Sequence, residues 1–458
     1  MMNLPISRWG HQLSALWLAS FVVALGMVPV SHAQRPSREE LVRADRARVE
    51  AEGFWLYNDL PTAYARARQE SKPIVVVLRC IPCEECVKLD DELVDTHPIV
   101  RPLLDQFVCV RVVGTNGLDL DLFQYDTDQS FAVFMLNAEK MIYGRFGTRS
   151  HRTEWIGDVS LEGLAEALKG ALEMHQRYLQ DREKVAQLVA GKRGTPLEFS
   201  RPELYPSLKD RYSNQLDYEG EVAKSCIHCH QIGDARREYY WHAGKPLPYE
   251  LVYPYPHPKS IGLVLDPKFR ARVQAIVADT PAAASGLQPG DDIESMEGQP
   301  LLSMADAQWV LHQVPMSGGE IALSVRRNQQ VHDLTLVLPD GWRRGDDISW
   351  RVSCWPMSRM ALGGMRLESL PQEMRPAEAG AGMALRVKSV GQYGAHGTAK
   401  RQGIRVGDVL LAYDGRRDLA SEAAIFEYAL RHHRPGERVQ LDLLRDGKRL
   451  KIELPLQP

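Results

Sequence analysis

Ile74-Val75-Val76-Val77-Leu78-Arg79-Cys80-Ile81-Pro82-Cys83-Glu84-Glu85-Cys86-Val87-Lys88-Leu89 decides the fold of the first third of this chain. Ile74 to Leu78 is an unbroken, mostly β-branched apolar run, as expected of a strand buried on both faces. Three thiols follow at once, and Val87-Lys88-Leu89 opens a helix behind them. A thiol at a helix N-terminus meets unpaired backbone N–H groups and the positive end of the helix dipole, which lower its pKa. Outward from this stretch, Pro61 to Ser71 has the spacing of an amphipathic helix, stopped by Lys72-Pro73. Phe107 to Val113 reads as the next strand, Ala132 to Leu136 and Met141 to Phe146 as an antiparallel pair, and Leu161 to Leu179 as a closing helix. From Arg182 a helix is expected to run on to Ala190.

This order resembles the thioredoxin superfamily, in particular its exported branch with a W-x-x-D…A-x-x-x-x-K-P lead-in, matched by Trp55, Asp59, Ala67 and Lys72-Pro73. The resemblance implies an α/β domain over residues 45–180, with Cys83 as the attacking thiol and Cys86 as the resolving one. Glu84 and Glu85 between them oppose thiolate formation, and Cys80 is a possible third thiol in a second, overlapping C-x-x-C. Gln129-Ser130-Phe131 stands where the family carries its cis-proline, and Pro82 where it carries tryptophan. The cysteines are therefore read either as a redox dithiol or as structural or metal-holding groups. No fourth cysteine follows at ferredoxin distance. Cys109, inside an apolar strand, reads as a core residue.

Cys226-Ile227-His228-Cys229-His230 is C-x-x-C-H, the attachment signature of a c-type haem. Two thiols one turn apart can add to the porphyrin vinyl groups, and the next histidine can serve as axial ligand to the iron. A zinc knuckle would need a second Cys/His pair at compact spacing, which is lacking. Residues 181–258 are thus expected to form a short, mostly α or irregular segment holding one covalent haem c on Cys226, Cys229 and His230. Glu219 to Ser225 is expected as a short helix leading into the motif. Eight of the sixteen tyrosines lie between Tyr205 and Tyr255, and are expected to wrap the macrocycle. No methionine occurs between His230 and Met296, so the sixth ligand is sought in His257, with His242 on the helix behind His230 as the alternative.

Residues 1–33 look like a signal peptide: Arg8, an uncharged apolar run from Leu13 to Val30, and Ser31-His32-Ala33 as a cleavage site. This implies a periplasmic or otherwise exported protein, with membrane attachment only if the segment stays uncleaved. Outside the cytosol, thiols can be oxidised and haem attached. At 458 residues the chain is long enough for several domains, and a net charge of −3 gives no footprint for nucleic acid.

The C-terminal half repeats one pattern. Thr280 to Ile293 contains Ala-x-x-x-Gly286-Leu287-Gln288-Pro289-Gly290-Asp291, and Gly397 to Leu410 contains Gly403-Ile404-Arg405-Val406-Gly407-Asp408. Each copy continues through a helix (Met304 to His312; Ser421 to His432) and a closing hairpin turning at Arg326 to Gln329 and at Arg445 to Lys448. Both resemble bacterial PDZ domains, α+β and barrel-like, over 259–345 and 355–458. The resemblance implies capture of C-terminal or extended peptides of exported proteins on a Φ-G-Φ loop. Ile261-Gly262-Leu263 matches that loop in the first copy, and Leu362-Gly363-Gly364-Met365 is the nearest match in the second. No serine-protease setting is visible.

The whole architecture resembles exported thioredoxin/PDZ proteins with a C-x-x-C-H insert, of planctomycete type. The expectation is a multidomain c-type haem protein that carries electrons, with an unidentified redox partner, and exchanges them with the Cys83/Cys86 dithiol. A PDZ adaptor or haem-based sensor is the alternative, and a thiol–disulfide oxidoreductase the third reading.

Overall fold

The strands and helices of the first domain follow from local chemistry. In a computed structural model that describes residues 36–79, 97–129, 131–151 and 157–457, helix α1 (Arg38–Glu52) carries i,i+4 pairs such as Arg46 to Glu50 on its wet face. Val42 and Val49 are buried on the other. Helix α2 (Leu60–Glu70) starts where Asp59 accepts the Thr62 N–H at 3.0 Å, and ends at Ser71, whose φ is +52°. Between them lies a two-residue strand β1 (Leu56–Tyr57). Strand β2 (Ile74–Arg79) is central, parallel to β3 (Val108–Val113) and antiparallel to β4 (Phe131–Leu136), which pairs with β5 (Ile142–Phe146). The sheet order is β1-β3-β2-β4-β5. Helix α3 (Leu161–Gln180) covers one face, with Leu164 and Leu168 against Val75, Val133 and Met135. Ala63 and Ala67 of α2 lie on the other, with Leu118 to Tyr125. Asp181 leaves the helix and caps a separate helix α4 (Arg182–Val189), so the expected continuation is broken at one residue. Residues 1–33, Cys80, Cys83, Cys86 and Ser130 lie outside the described residues.

The segment after α4 is no linker. A single helical turn, Val222–Ser225, occupies the end of the stretch read as the leading helix, and helix α5 (Cys229–His242) follows. Tyr205, Leu208, Ile227, Cys229, Ile232 and Ala235 belong to the same core as strands β2 and β3. Further along, Trp241, Leu247, Leu251, Val252 and Tyr253 join the core of the last domain. From Arg38 onward the chain is one compact unit.

Both repeats build the same sheet. The first orders β11-β10-β8-β7-β6, from strands β6 (Leu263–Asp266), β7 (Arg272–Ile276), β8 (Asp292–Met296), β10 (Gly319–Arg327) and β11 (Gln330–Leu338), with β9 (Gln299–Pro300) on β8. The second orders β12 (Met365–Ser369), β13 (Leu385–Val390), β14 (Val409–Tyr413), β15 (Arg438–Arg445) and β16 (Lys448–Pro455). Helices α6 (Met304–Gln313) and α8 (Glu422–His432) are equivalent, and α7 (Cys354–Leu362) precedes the second repeat's strands. In each copy the aspartate of the Gly-Asp turn is clasped by a hairpin arginine. Arg327 reaches Asp291 at 2.7 and 2.8 Å, and Arg445 reaches Asp408 at 2.7 Å twice.

Helix α6 is buried on all sides from Met304 to Leu311, because the first domain packs on it. Asp306 pairs with buried Lys192 at 2.9 Å and Ser303 donates to the Arg145 carbonyl. A second tie is electrostatic. Arg351, ahead of α7, reaches Asp126 at 2.6 Å, and Ser353 donates its N–H and hydroxyl to Asp128. All four side chains are buried.

Candidate functional site

The C-x-x-C-H motif is held by a loop of the first domain. The Ile227 carbonyl accepts the N–H and hydroxyl of Thr115, both at 2.9 Å, and the Ile227 N–H donates to Asn116 Oδ1. Asn116 also donates to the Ser225 carbonyl at 3.0 Å. Glu39 of α1 accepts the Val222 and Ala223 N–H groups, capping the turn before the motif. His228 is the N-cap of α5, and its N–H donates to Gln231 Oε1 at 2.7 Å, closing a capping box. The motif is thus fixed through its backbone on both sides of Cys226 and ahead of Cys229.

Both thiols are free and buried. They line a cavity of about 10 Å³ with Val42, Arg79, Val113, Gly114, Leu216 and His228. Burial pushes the Cys226 thiol up to about 12, and the neighbouring Cys229 adds to that. Burial raises Cys229 too, while the Tyr125 hydroxyl beside it works the other way. The His230 ring lies parallel to that of His228, with centroids 5.8 Å apart. Burial lowers its pKa, against the opposing charge of Asp128. His230 is therefore a neutral imidazole without a hydrogen bond among the described residues.

Whether a c-type haem suits these residues has two answers. The donor set suits it: two thiols one turn apart and a neutral imidazole. The enclosure does not, since a water-sized cavity lined by His228 rather than His230 is far below the several hundred Å³ that bury a macrocycle. The tyrosines read as its wrapping serve elsewhere. None of those from Tyr205 to Tyr255 lines the cavity. Tyr205 and Tyr240 donate to Glu198, Tyr253 donates to Glu427, and Tyr255 stacks on His312.

Of the two histidines sought as sixth ligand, His257 has contacts of its own and His242 stands too far along α5 from His230 to share an iron with it. His257 caps the short helix Pro258–Ile261, its Nδ1 accepting the Lys259 N–H at 3.2 Å and its Nε2 lying 3.4 Å from buried Asp158. His242 stands twelve residues beyond His230 on α5, about 18 Å along the axis at 1.5 Å per residue. Two ligands of one iron must stand about 4 Å apart across it.

Of the peptide-loop residues, Ile261 and Leu263 are 1 % exposed and belong to the first repeat's core. The Gly262 N–H donates back to Lys259 and Pro258. Strand β6 nevertheless lies at the edge of its sheet, as strand addition requires. In the second repeat β12 is also an edge, but its Leu367 N–H donates to Glu422 Oε1 at 2.8 Å. Among the described residues no group of three metal-ligating side chains converges, and no helix is long and apolar enough to cross a membrane.

Residues 55–138 match the family model described as thioredoxin-like, and residues 253–338 and 380–456 each match that of the PDZ domain. The chain therefore contains one thioredoxin-like domain and two PDZ domains. No curated protein matches it. Solved structures similar to parts of it include an aminopeptidase N family protein from Idiomarina loihiensis, with 23 % identity over 21 % of this chain and 13 % of that one and a TM-score of 0.16. A serine endoprotease from Yersinia pestis shows 21 % identity over 20 % of this chain and 29 % of that one, TM-score 0.14. The HtrA-type protease AlgW with decapeptide shows 17 % identity over 30 % and 56 %, TM-score 0.18. The chain thus spans between 13 % and 56 % of the lengths of these structures.

Proposed function

We propose that the protein is an exported redox protein whose working centre is the junction between the C-x-x-C-H helix and the thioredoxin-like domain. One observation carries this reading: Arg79, the last residue of β2 and the covalent neighbour of Cys80, lines the same cavity as Cys226 and Cys229. Arg79 is the last described residue before the Cys80–Cys86 stretch, which follows it directly in sequence. The exchange is written with Cys83 thiolate attacking a Cys226–Cys229 disulfide. Cys86 then resolves the mixed disulfide, so that two electrons and two protons pass to the buried pair. A protein dithiol outside this chain would reduce Cys83 and Cys86 again. Once reduced, the buried pair stays protonated, because burial raises both thiols, and a protonated thiol is a poor nucleophile for the reverse attack.

A single covalent haem c on Cys226 and Cys229, with His230 as axial ligand, is the second reading. The neutral imidazole of His230, without a hydrogen bond among the described residues, favours it, and it needs the packing of Val42, Val113 and Leu216 against the thiols to open. On that reading the chain is a c-type electron carrier. The first PDZ domain is read as the docking edge for C-terminal or extended peptides of exported proteins, through β6. The second serves as frame, with its edge amide taken by Glu422.

The deciding experiment is export of the protein from a host with haem-maturation machinery, followed by intact mass, an absorption spectrum and disulfide mapping across a range of redox potentials. A Cys226–Cys229 disulfide that forms and breaks, without a covalent haem band, supports the thiol reading. A haem adduct supports the second. Thiols that stay reduced and unmodified throughout overturn both.

A further inference from the structure

We propose that a second cavity, on the same side of helix α5, binds a small monocarboxylate with an apolar or aromatic body. The cavity measures about 390 Å³ and is walled by the thioredoxin-like domain, α5 and the end of α6, a size in the range of small-molecule sites. Ile232, Gly233, Arg236, Arg237 and Tyr240 line it, following the turn-by-turn stripe that begins at Cys229.

Its apolar wall is preformed. Phe123, Ile232, Leu251 and Pro254 lie on it. Tyr255 and His312 close one end as a stacked pair, centroids 3.9 Å apart and planes 12° from parallel. The Tyr255 N–H donates to His312 Nδ1 at 3.2 Å, which fixes the pair. Burial and the surrounding guanidiniums of Arg343, Arg236, Arg351 and Arg145 keep His312 neutral.

Its charged wall is unfinished. Arg237 is 2 % exposed and its Nε donates to the Leu251 carbonyl, yet Nη1 has no hydrogen-bond partner. That atom lies at the cavity wall, because a Cβ on the lining residue Gly233 would stand 2.9 Å from it. Arg237 faces Asp234 at 3.7 Å and Asp128 at 4.0 Å, beyond hydrogen-bond reach of either. Burial pushes Asp234 up to about 7, so it offsets only part of the guanidinium charge. Arg236 gives Nε and Nη2 to Glu198, both at 2.8 Å, and its Nη1 has no partner among the described residues. With Arg236 tied to Glu198, the donors left over are Nη1 of Arg237 and Nη1 of Arg236, enough to hold one carboxylate. Glu198 and Glu250, also on the wall, would oppose a dianion such as phosphate. A carboxylate matches the planar, hydrogen-bonding fork that arginine presents.

Isothermal titration of the full chain with phenylacetate and benzoate tests this, with inorganic phosphate as the control. Saturable binding of an aryl carboxylate without binding of phosphate is expected, weakened at least about tenfold by Arg237→Gln. Gly233→Ala keeps every charge and crowds Nη1 and Thr127 Oγ1, so it should weaken binding in a chain whose near-ultraviolet dichroism is unchanged. If Arg237→Gln fails to fold, the Gly233→Ala titration decides. No saturable binding of either acid at millimolar concentration overturns the proposal, as does binding indifferent to Gly233→Ala or phosphate binding as well as the acids.

Discussion

Gly114 and Cys226 meet so closely that a Cβ on Gly114 would stand 2.8 Å from the Cys226 sulfur. The glycine also has a φ of +88°, where a side chain is strained whatever the space. The loop leaving β3 therefore both clamps the C-x-x-C-H motif and leaves space for its first thiol.

Gly114→Ala should destabilise the protein by about 1–3 kcal/mol, seen as a lower denaturation midpoint at unchanged slope. Native-state alkylation of Cys226 should speed up with it, and a variant as stable and as slowly alkylated as the parent would contradict the packing described.

The Cys226 thiol, pushed up to about 12 by burial, should react slowly with iodoacetamide in the native chain. The rate should keep rising with pH through the range where an ordinary thiol, near 8.5, levels off. A plateau near pH 9, followed by mass spectrometry of the modified cysteine, would show a thiolate more accessible than the structure allows.

Removing one side of a buried ion pair leaves a bare charge. Arg351 sits between Asp126 at 2.6 Å, Asp128 at 3.5 Å and Asp346 at 3.6 Å, all buried. Arg351→Met should cost about 3–5 kcal/mol, and Arg351→Lys should recover only part of that. Chemical denaturation measures both.

Asp234 holds its proton more tightly folded than unfolded, since burial raises its pKa from 3.8 to about 7. The folded state then binds more protons between those values, so this group's contribution to stability is full below about pH 4 and lost as pH rises towards 7. Asp234→Asn should flatten that part of the stability–pH curve. Thermal unfolding of both chains from pH 4 to 8 checks it, and parallel curves would count against the burial of this carboxyl.

Glu422 ties α8 to the edge of the second PDZ sheet through Arg366, at 2.9 Å, and the Leu367 N–H. Glu422→Ala should cost about 1–3 kcal/mol and free an edge amide. Retention of a C-terminal peptide by the full chain should then rise. Substituting Ile261 and Gly262 should lower the retention that β6 provides, and unchanged retention in both variants would remove peptide docking from these edges.

The elements were legible wherever local pattern decides them. Ile74 to Leu78 needed only its β-branched run, and the helix from Met304 to His312 followed from the likeness of the repeat to PDZ domains. The two PDZ copies were legible from their Gly-Asp turns, although the arginines that clasp Asp291 and Asp408 lie more than thirty residues away and carry no local signal. His257 was read as a presented ligand because it stands in a stiff, proline-rich loop. Its place in the structure, capping Pro258–Ile261 beside Asp158, depends on a carboxylate a hundred residues earlier in the chain. The tyrosine-rich stretch misled for a related reason: composition shows that large surfaces must be covered, but not which partner covers them. Arg237 and the cavity it lines had no sequence signal, since arginines on a helix, Arg236 and Arg237 among them, are ordinarily solvated.

Asp126 and Asp128 of the first domain find Arg351 and Ser353 only 225 residues later. Domains ordinarily mature in the order they emerge, the N-terminal one first. Here two of the first domain's buried carboxylates, Asp126 and Asp128, meet their arginine and serine only when most of the chain has appeared, so this tie closes last. The last quarter of the polypeptide acts as a built-in finishing step, and a truncated chain should be trapped short of the native state.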